Sequence, residues 1–333
     1  MSKHPRPLLR SFAVVAVVCF SFALTKAQHD TTGGSTAGGG ALGGPTKPAT
    51  KPATKTPART TTPTTRKQPS TPAASTRRVV PKAPTADFYV KQGDEQYDAK
   101  NYNDALQSYL KAIQLNPSLA DANYRIGWIY NEQDQYDQSL NYLNRSLQLN
   151  SNNSAAQSER GYAYRKLKRY SEALAAYQQA LAIKPDYPAV LYDMGWIYNE
   201  QKNYEDAIPA LKQAVRLKPD YADAHTEFGY ALHKIGRQTE AVEEYKEALR
   251  LKPDLALAHF GLGDVYYNTR QYALAVNSYN AGLRLEPNNA DGHYNVALSY
   301  YELNNRNAAL EHYRILQRLD PERATKLFNA INR

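Results

Sequence analysis

From Ala86 to Arg323 small and apolar residues recur with a 34-residue period, and no insertion or deletion is needed to keep the period. Seven units begin at Ala86, Ala120, Ser154, Pro188, Ala222, Ala256 and Ala290. In the fourth, Leu191, Met194, Gly195 and Tyr198 fall on one face of a helix, while Ala207, Leu211, Ala214 and Leu217 fall on one face of a second. The spacing therefore predicts two helices per unit. The eighth place holds Gly93, Gly127, Gly161, Gly195, Gly229 and Gly263, with Ala297 in the last unit; the twentieth holds alanine, or Ser139 in the second. Both are small because two helices must approach closely there. Proline at the thirty-second place, replaced by Ser151 in the second unit, breaks the helical run between units. A pair of this kind cannot bury itself alone, so stacking is expected to make one continuous, elongated core.

The order of an aromatic or leucine, then Leu-Gly, Tyr, Ala, Tyr or Phe, Ala and Pro resembles the tetratricopeptide repeat family. It is carried in the fourth unit by Leu191, Met194-Gly195, Tyr198, Ala207, Leu211, Ala214 and Pro219. The sixth shows Leu262-Gly263, Tyr266, Ala275, Tyr279 and Pro287, and departs from the pattern at Gly282, where alanine is expected. The resemblance covers residues 86–323. It implies an all-α fold, a right-handed helical-hairpin solenoid of seven repeats; Ala324, Leu327, Phe328 and Ile331 add an amphipathic stripe, so residues 322–333 are expected to form a C-terminal capping helix.

Charge and composition change the picture before residue 86. Residues 1–85 hold 13 Lys or Arg against one Asp, so the remainder of a chain with net charge +9 carries −3. The basicity is local, which argues against a nucleic-acid partner for the repeats. Lys3, Arg6 and Arg10 precede an apolar stretch from Ser11 to Leu24 and the small residues of Thr25-Lys26-Ala27. Residues 1–27 thus read as a signal peptide cleaved after Ala27, the alternative being an uncleaved single-pass anchor that keeps the repeats outside the cytoplasm. A periplasmic, cell-envelope or extracellular location follows. Cleavage would remove Cys19, the only cysteine. Residues 28–85, Gly-rich and then rich in Thr, Pro, Ala and Lys, read as a disordered basic linker, with a reach of at most roughly 180 Å if extended throughout.

No cluster proposes catalysis, a cofactor or a metal. His225, His259 and His293 recur at the fourth place of three successive units and are read as packing residues that face the preceding unit. The carboxylates show no sequence context that implies a shifted pKa, and there is no phosphate loop, His-Glu-x-x-His array or nucleophile elbow. Function must then lie in binding. The resemblance implies that the second, fifth, sixth, ninth, twelfth and thirteenth places face a concave groove. The candidate groove residues are Tyr124, Trp128, Asn131, Tyr162, Tyr192, Asp193, Trp196, Asn199, Glu227, Tyr230, Phe260, Asp264, Tyr267, Tyr294 and Tyr301. Rings on a solvated face have no packing reason to be there and are common interface anchors. Thirteen carboxylates against five basic residues at these places give the groove a charge of −8. The expected protein is an exported, non-enzymatic scaffold for an extended basic protein segment, with residues 28–85 as a possible intramolecular occupant. A membrane would be a partner only if the N-terminal segment is retained. The alternatives are a glycan-binding module, in which Trp128 and Trp196 stack on sugars and Asn131 and Asn199 bond hydroxyls, and an enzyme-associated accessory subunit.

Overall fold

The computed structural model describes residues 83–332, and among these it contains fifteen α-helices and no strand. The expectations for a signal peptide, an anchor and most of the linker lie outside the described residues. The first helices of the seven units are α1 (Ala86–Asp98), α3 (Ala120–Glu132), α5 (Ser154–Lys166), α7 (Pro188–Glu200), α9 (Ala222–Lys234), α11 (Ala256–Asn268) and α13 (Ala290–Glu302). The second helices are α2 (Tyr102–Leu115), α4 (Tyr136–Leu149), α6 (Tyr170–Ile183), α8 (Tyr204–Leu217), α10 (Gln238–Leu251), α12 (Tyr272–Leu285) and α14 (Arg306–Leu319); α15 (Pro321–Ile331) follows.

Each hairpin turns on one residue at the fifteenth place. Lys100, Asp134, Lys168, Lys202, Arg270 and Asn304 adopt φ of 57 to 61°, and Gly236 adopts 84°. In the first unit Lys100 N donates to Tyr97 O and Asn101 N to Gln96 O, both at 2.8 Å, and the same pair of bonds closes every other hairpin. These bonds satisfy the terminal carbonyls of the first helix and hold the left-handed residue in place, although glycine would occupy it at lower cost.

Within a unit the eighth and twenty-fourth places meet. A Cβ added at Gly161 would stand 2.5 Å from Tyr177 Cε1, and one at Gly263 2.6 Å from Tyr279. Tyr109, Tyr177, Tyr245 and Tyr279 are completely or almost completely buried against these glycines. Gly282, which departs from the family pattern, has the same kind of cause: a Cβ there would stand 2.6 Å from Phe260 Cε1.

Between units, α3, α5, α7, α9 and α11 each touch the next first helix, whereas no comparable contact joins successive second helices. The solenoid is therefore concave on the side of the first helices. The recurring histidines tie units together, since His225, His259 and His293 place Nε2 3.1, 3.0 and 2.9 Å from the carbonyls of Pro219, Pro253 and Pro287. The last unit packs Ala297, Ala309 and Leu316 against Ala324, Leu327 and Ile331 of α15. Leu316 stands where other units have a small residue because a single helix follows it, not a further hairpin. At the opposite end, the α1 positions equivalent to the packing residues Ile126, Ile129 and Tyr130 are Gln92, Glu95 and Gln96. α1 thus lacks the apolar face by which the later first helices pack on the unit before them.

The core is not continuous, contrary to the expectation. It divides into separate clusters, the longest from Ala207 to Val296, and at the junction between the second and third units only a small one, Leu143 and Leu147 with Ala156, sits beside polar side chains. Arg160 donates there to Asn144 and Gln157, and the hydroxyls of Ser139 and Ser146 are buried without a hydrogen-bond partner. An orphaned buried hydroxyl costs about 1–3 kcal/mol. Ser139→Ala, which restores the residue found at that place in the other six units, should therefore raise stability by about 1 kcal/mol. Thermal unfolding followed by circular dichroism measures it; a lowered midpoint would show that the hydroxyl has a stabilising partner.

Candidate functional site

The concave side presents the first helices, as the candidate groove requires, but its rings are more deeply engaged than the sequence suggested. None of the candidate aromatics is fully exposed. The tyrosine that opens a second helix packs edge-on against the ninth place of the next unit: Tyr102 on Trp128 at 5.3 Å, Tyr136 on Tyr162 at 6.3 Å, Tyr170 on Trp196 at 6.3 Å and Tyr204 on Tyr230 at 5.9 Å. These rings thus have a packing reason to be aromatic, which corrects the view that they serve recognition alone. Each keeps part of its surface in solvent.

The other candidates divide. Tyr124 packs beside Leu143 and Leu147, and Tyr192 lies 4.9 Å from Tyr221. Phe260 is a packing residue, wedged against Gly282 and Gly292 between the sixth and seventh units. Tyr267 pairs with Tyr272 at 5.5 Å, and Tyr294 and Tyr301 flank the apolar cluster closed by α15.

Asn131 and Asn199 are corrected more sharply. Both are buried, at 2% and 4% exposure. Asn131 Nδ2 donates to Glu159 O at 3.0 Å and Glu159 Oε2 at 2.9 Å; Asn199 Nδ2 donates to Glu227 O at 3.1 Å and Glu227 Oε2 at 2.8 Å. Their amides are spent across the inter-unit contact and are not presented to sugar hydroxyls. Asp193 and Asp264 are also engaged, since Tyr177 OH donates to Asp193 at 3.0 Å and Tyr279 OH to Asp264 at 2.7 Å. These bonds give the core tyrosines' hydroxyls their partners, a role that spacing alone did not reveal.

The chain's own cations already lie on several rings. Arg165 stands 5.2 Å from the Tyr162 ring and 5.0 Å from the Trp196 ring, with Asp193 at 3.5 Å. Arg125 covers Tyr97 at 4.5 Å and Lys234 covers Tyr230 at 5.0 Å. The charge is uneven along the solenoid. At the groove-facing places of units two and three, Asp121, Glu132 and Glu159 are matched by Arg125, Arg165 and Lys166. In units four to seven, seven carboxylates face Lys234 as the only Lys or Arg.

The carboxylates are perturbed, contrary to the reading from sequence. Burial pushes Glu159 and Glu227 up to about 7, against the hydrogen bond from the preceding asparagine, which favours the charged form. Glu132 and Asp193 push Glu159 further up; Glu200 and Asp223 do so for Glu227. Burial raises Asp193 and Asp264 as well, and lifts Asp291 to about 6 although Arg323 lies 2.8 Å away. Sequence could not show this, because the burial arises only when units stack. Among the described residues, no group of three or more His, Cys, Asp or Glu could hold a metal ion.

A carboxyl whose folded pKa lies above its unfolded value of 4.5 withdraws stability as pH rises from about 4.5 to about 7, and the loss persists above. For Glu227 this is at most about 3 kcal/mol. Glu227→Gln keeps an acceptor for Asn199 and removes the charge. It should raise the unfolding midpoint at pH 8 and give little or no advantage at pH 4. Melting at both pH values checks this; an equal shift at both would mean that Glu227 is not held protonated by the fold.

Comparison with known proteins agrees with this architecture. Models described as "TPR repeat" match residues 93–134, 229–269, 271–304, and models described as "Tetratricopeptide repeat" match 132–188, 164–226 and 291–323. A search of curated proteins found no match. Among solved structures, Pseudomonas aeruginosa PilF is 22% identical over 63% of this chain and 96% of its own, with a TM-score of 0.56. PilW, described as a widely conserved type IV pilus biogenesis factor, is 22% identical over 63% of this chain and 98% of its own, also at 0.56. YrrB, described as a TPR protein with an unusual peptide-binding site, is 21% identical over 55% of this chain and 95% of its own, at 0.50. With its 34-residue hairpins, small-residue contacts and family matches spanning residues 93–323, this chain belongs to the tetratricopeptide repeat family.

Proposed function

We propose that the repeats form a non-catalytic scaffold that binds an extended, basic protein segment along the concave face. The observation that carries this reading is the acidic first-helix side of units four to seven, where Glu200, Asp223 and Glu302 are exposed beside partly exposed rings and Lys234 is the only lysine or arginine at the groove-facing places. Rings beside carboxylates attract a cation through both the quadrupole and the charge. Arg165, between Tyr162 and Trp196 and beside Asp193, is an example of that arrangement within the chain itself. The fold of YrrB, described as carrying a peptide-binding site, supports a peptide as ligand. A glycan is less well supported, because Asn131 and Asn199 are buried in the inter-unit contact.

A peptide with the sequence of residues 47–82, which holds nine Lys or Arg and no acidic residue, is a suitable probe. It should bind at low ionic strength and lose affinity as salt rises, since screening acts over about 8 Å at 0.15 M. Replacing the exposed Glu200 and Asp223 by Gln and Asn should weaken it several-fold. Calorimetry across a salt series measures both effects. Salt-independent binding, or preference for neutral sugars, defeats the reading.

We place this scaffold outside the cytoplasm, on the strength of residues 1–27. No described helix is long and apolar enough to cross a membrane. Intact-mass measurement of the exported protein should give a chain that begins at Gln28; retention of Ser11–Leu24 in the membrane fraction would establish the anchored form instead.

A further inference from the structure

Two junctions of the solenoid, five units apart, are built from the same side chains. Only the first and sixth units have aspartate at the ninth place and tyrosine at both the twelfth and the seventeenth. In the first, Tyr97 meets Tyr102 with ring centroids 5.6 Å apart and planes at 61°, and Tyr109 OH donates to Asp94 at 2.7 Å. In the sixth, Tyr267 meets Tyr272 at 5.5 Å and 62°, and Tyr279 OH donates to Asp264 at 2.7 Å. The units that follow agree too, since Tyr124 and Glu132 of α3 stand at the places of Tyr294 and Glu302 in α13.

What covers the rings differs. At the first junction the Arg125 guanidinium stands 4.5 Å from the centre of the Tyr97 ring, and Trp128 closes on Tyr97 and Tyr102 at 4.9 and 5.3 Å. At the second, these places hold Asn295 and Leu298. Asn295 Nδ2 donates to Asp264 at 3.2 Å, and Leu298 packs with the terminal apolar cluster. Among the described residues no lysine or arginine stands over Tyr267, Tyr272 or Tyr294. All three rings are partly exposed, and Glu302 is exposed. Burial first, and then the nearby Glu302 carboxylate, raise Tyr267 to about 12 and raise Tyr272, although Arg270 opposes the shift of Tyr272. The other bases of this region are committed elsewhere, Lys234 over Tyr230 at 5.0 Å and Arg323 to Asp291 at 2.8 Å.

The first junction thus shows which group this ring pair holds, and the second has the ring pair without that group. We propose that Tyr267 and Tyr272, with Tyr294 and Glu302 beside them, form a binding site for one arginine side chain of the protein segment that occupies the concave face. This rests on the reading of that face as a site for a basic segment, and adds to it the position and the type of one anchoring residue. A planar guanidinium can stack on a tyrosine and donate to a carboxylate at once, which the compact lysine ammonium does less well. Glu302 suits that donor because it is exposed, whereas Glu159 and Glu227 are bonded to Asn131 and Asn199.

The test uses the whole protein and the peptide of residues 47–82, together with a second form in which its four arginines, Arg59, Arg66, Arg77 and Arg78, are lysine, so that the charge is unchanged. Calorimetry at low ionic strength should show the arginine form binding at least about threefold tighter. Asn295→Arg gives the ring pair an arginine from the chain itself, as Arg125 does at the first junction, and should remove that preference by weakening the arginine form more than the lysine form. General repulsion by the added charge would weaken both alike. Glu302→Gln, at an exposed side chain, should also reduce the preference, and it carries the test if circular dichroism shows that Asn295→Arg disturbs the fold. Equal affinity of the two peptides for the native protein, or a preference that survives the substitutions, would overturn the arginine site while leaving the basic-segment reading intact. Failure of both peptides to bind would overturn both.

Discussion

The close approach of two helices within each unit is the constraint from which the rest follows. It is made by a glycine at the eighth place and a tyrosine or leucine sixteen residues later, so close that a single added carbon at Gly161 would enter the Tyr177 ring. That approach fixes the hairpin, and a left-handed residue at the fifteenth place lets the chain reverse within it. Because the first helices touch along the array and the second helices do not, the same hairpins stack into a solenoid that is concave on the first-helix side. A groove is thus a by-product of packing, before any ligand is considered.

The core tyrosines also reach the functional face. Tyr177 and Tyr279 are buried at their rings, yet their hydroxyls donate to Asp193 and Asp264 on the concave side. Asn131 and Asn199 do the reverse, carrying a bond from one unit into the backbone and carboxylate of the next. Carboxylates drawn into such contacts lose water, and Glu159 and Glu227 titrate near neutrality as a result. Charge on this face is therefore partly set by stacking, and a ligand that supplies a cation would favour the ionised form.

The fold was legible because its determinants are local and repeated. Gly93, Gly127 and their equivalents, the thirty-second-place prolines and the alternation of apolar stripes are each read from one unit and recur along the array, glycine and proline each in six of the seven units. Ser151 shows that even the prolines are not essential, since Asn150 before it keeps the extended geometry, with φ of −141°, that precedes the prolines. The candidate site was legible only as a side of the solenoid. Phe260 stands at a groove-facing place, but the absence of side chains at Gly282 and Gly292 draws it into the interface. Trp128 and Trp196 lie on first helices, while the tyrosines packed against them open the second helix of the preceding unit.

The sequence by itself determined the period and the two helices of each unit, because both depend on residue types at fixed local spacing; the side of the units that faces a groove came from the family resemblance. Only the tertiary structure decided which groove residues are spent inside the fold, which carboxylates are desolvated and where the core is broken. Those properties depend on contacts between side chains 15 to 35 positions apart, such as Tyr177 with Asp193, Asn131 with Glu159 and His233 with Asn268. No such pair is adjacent until the units have stacked.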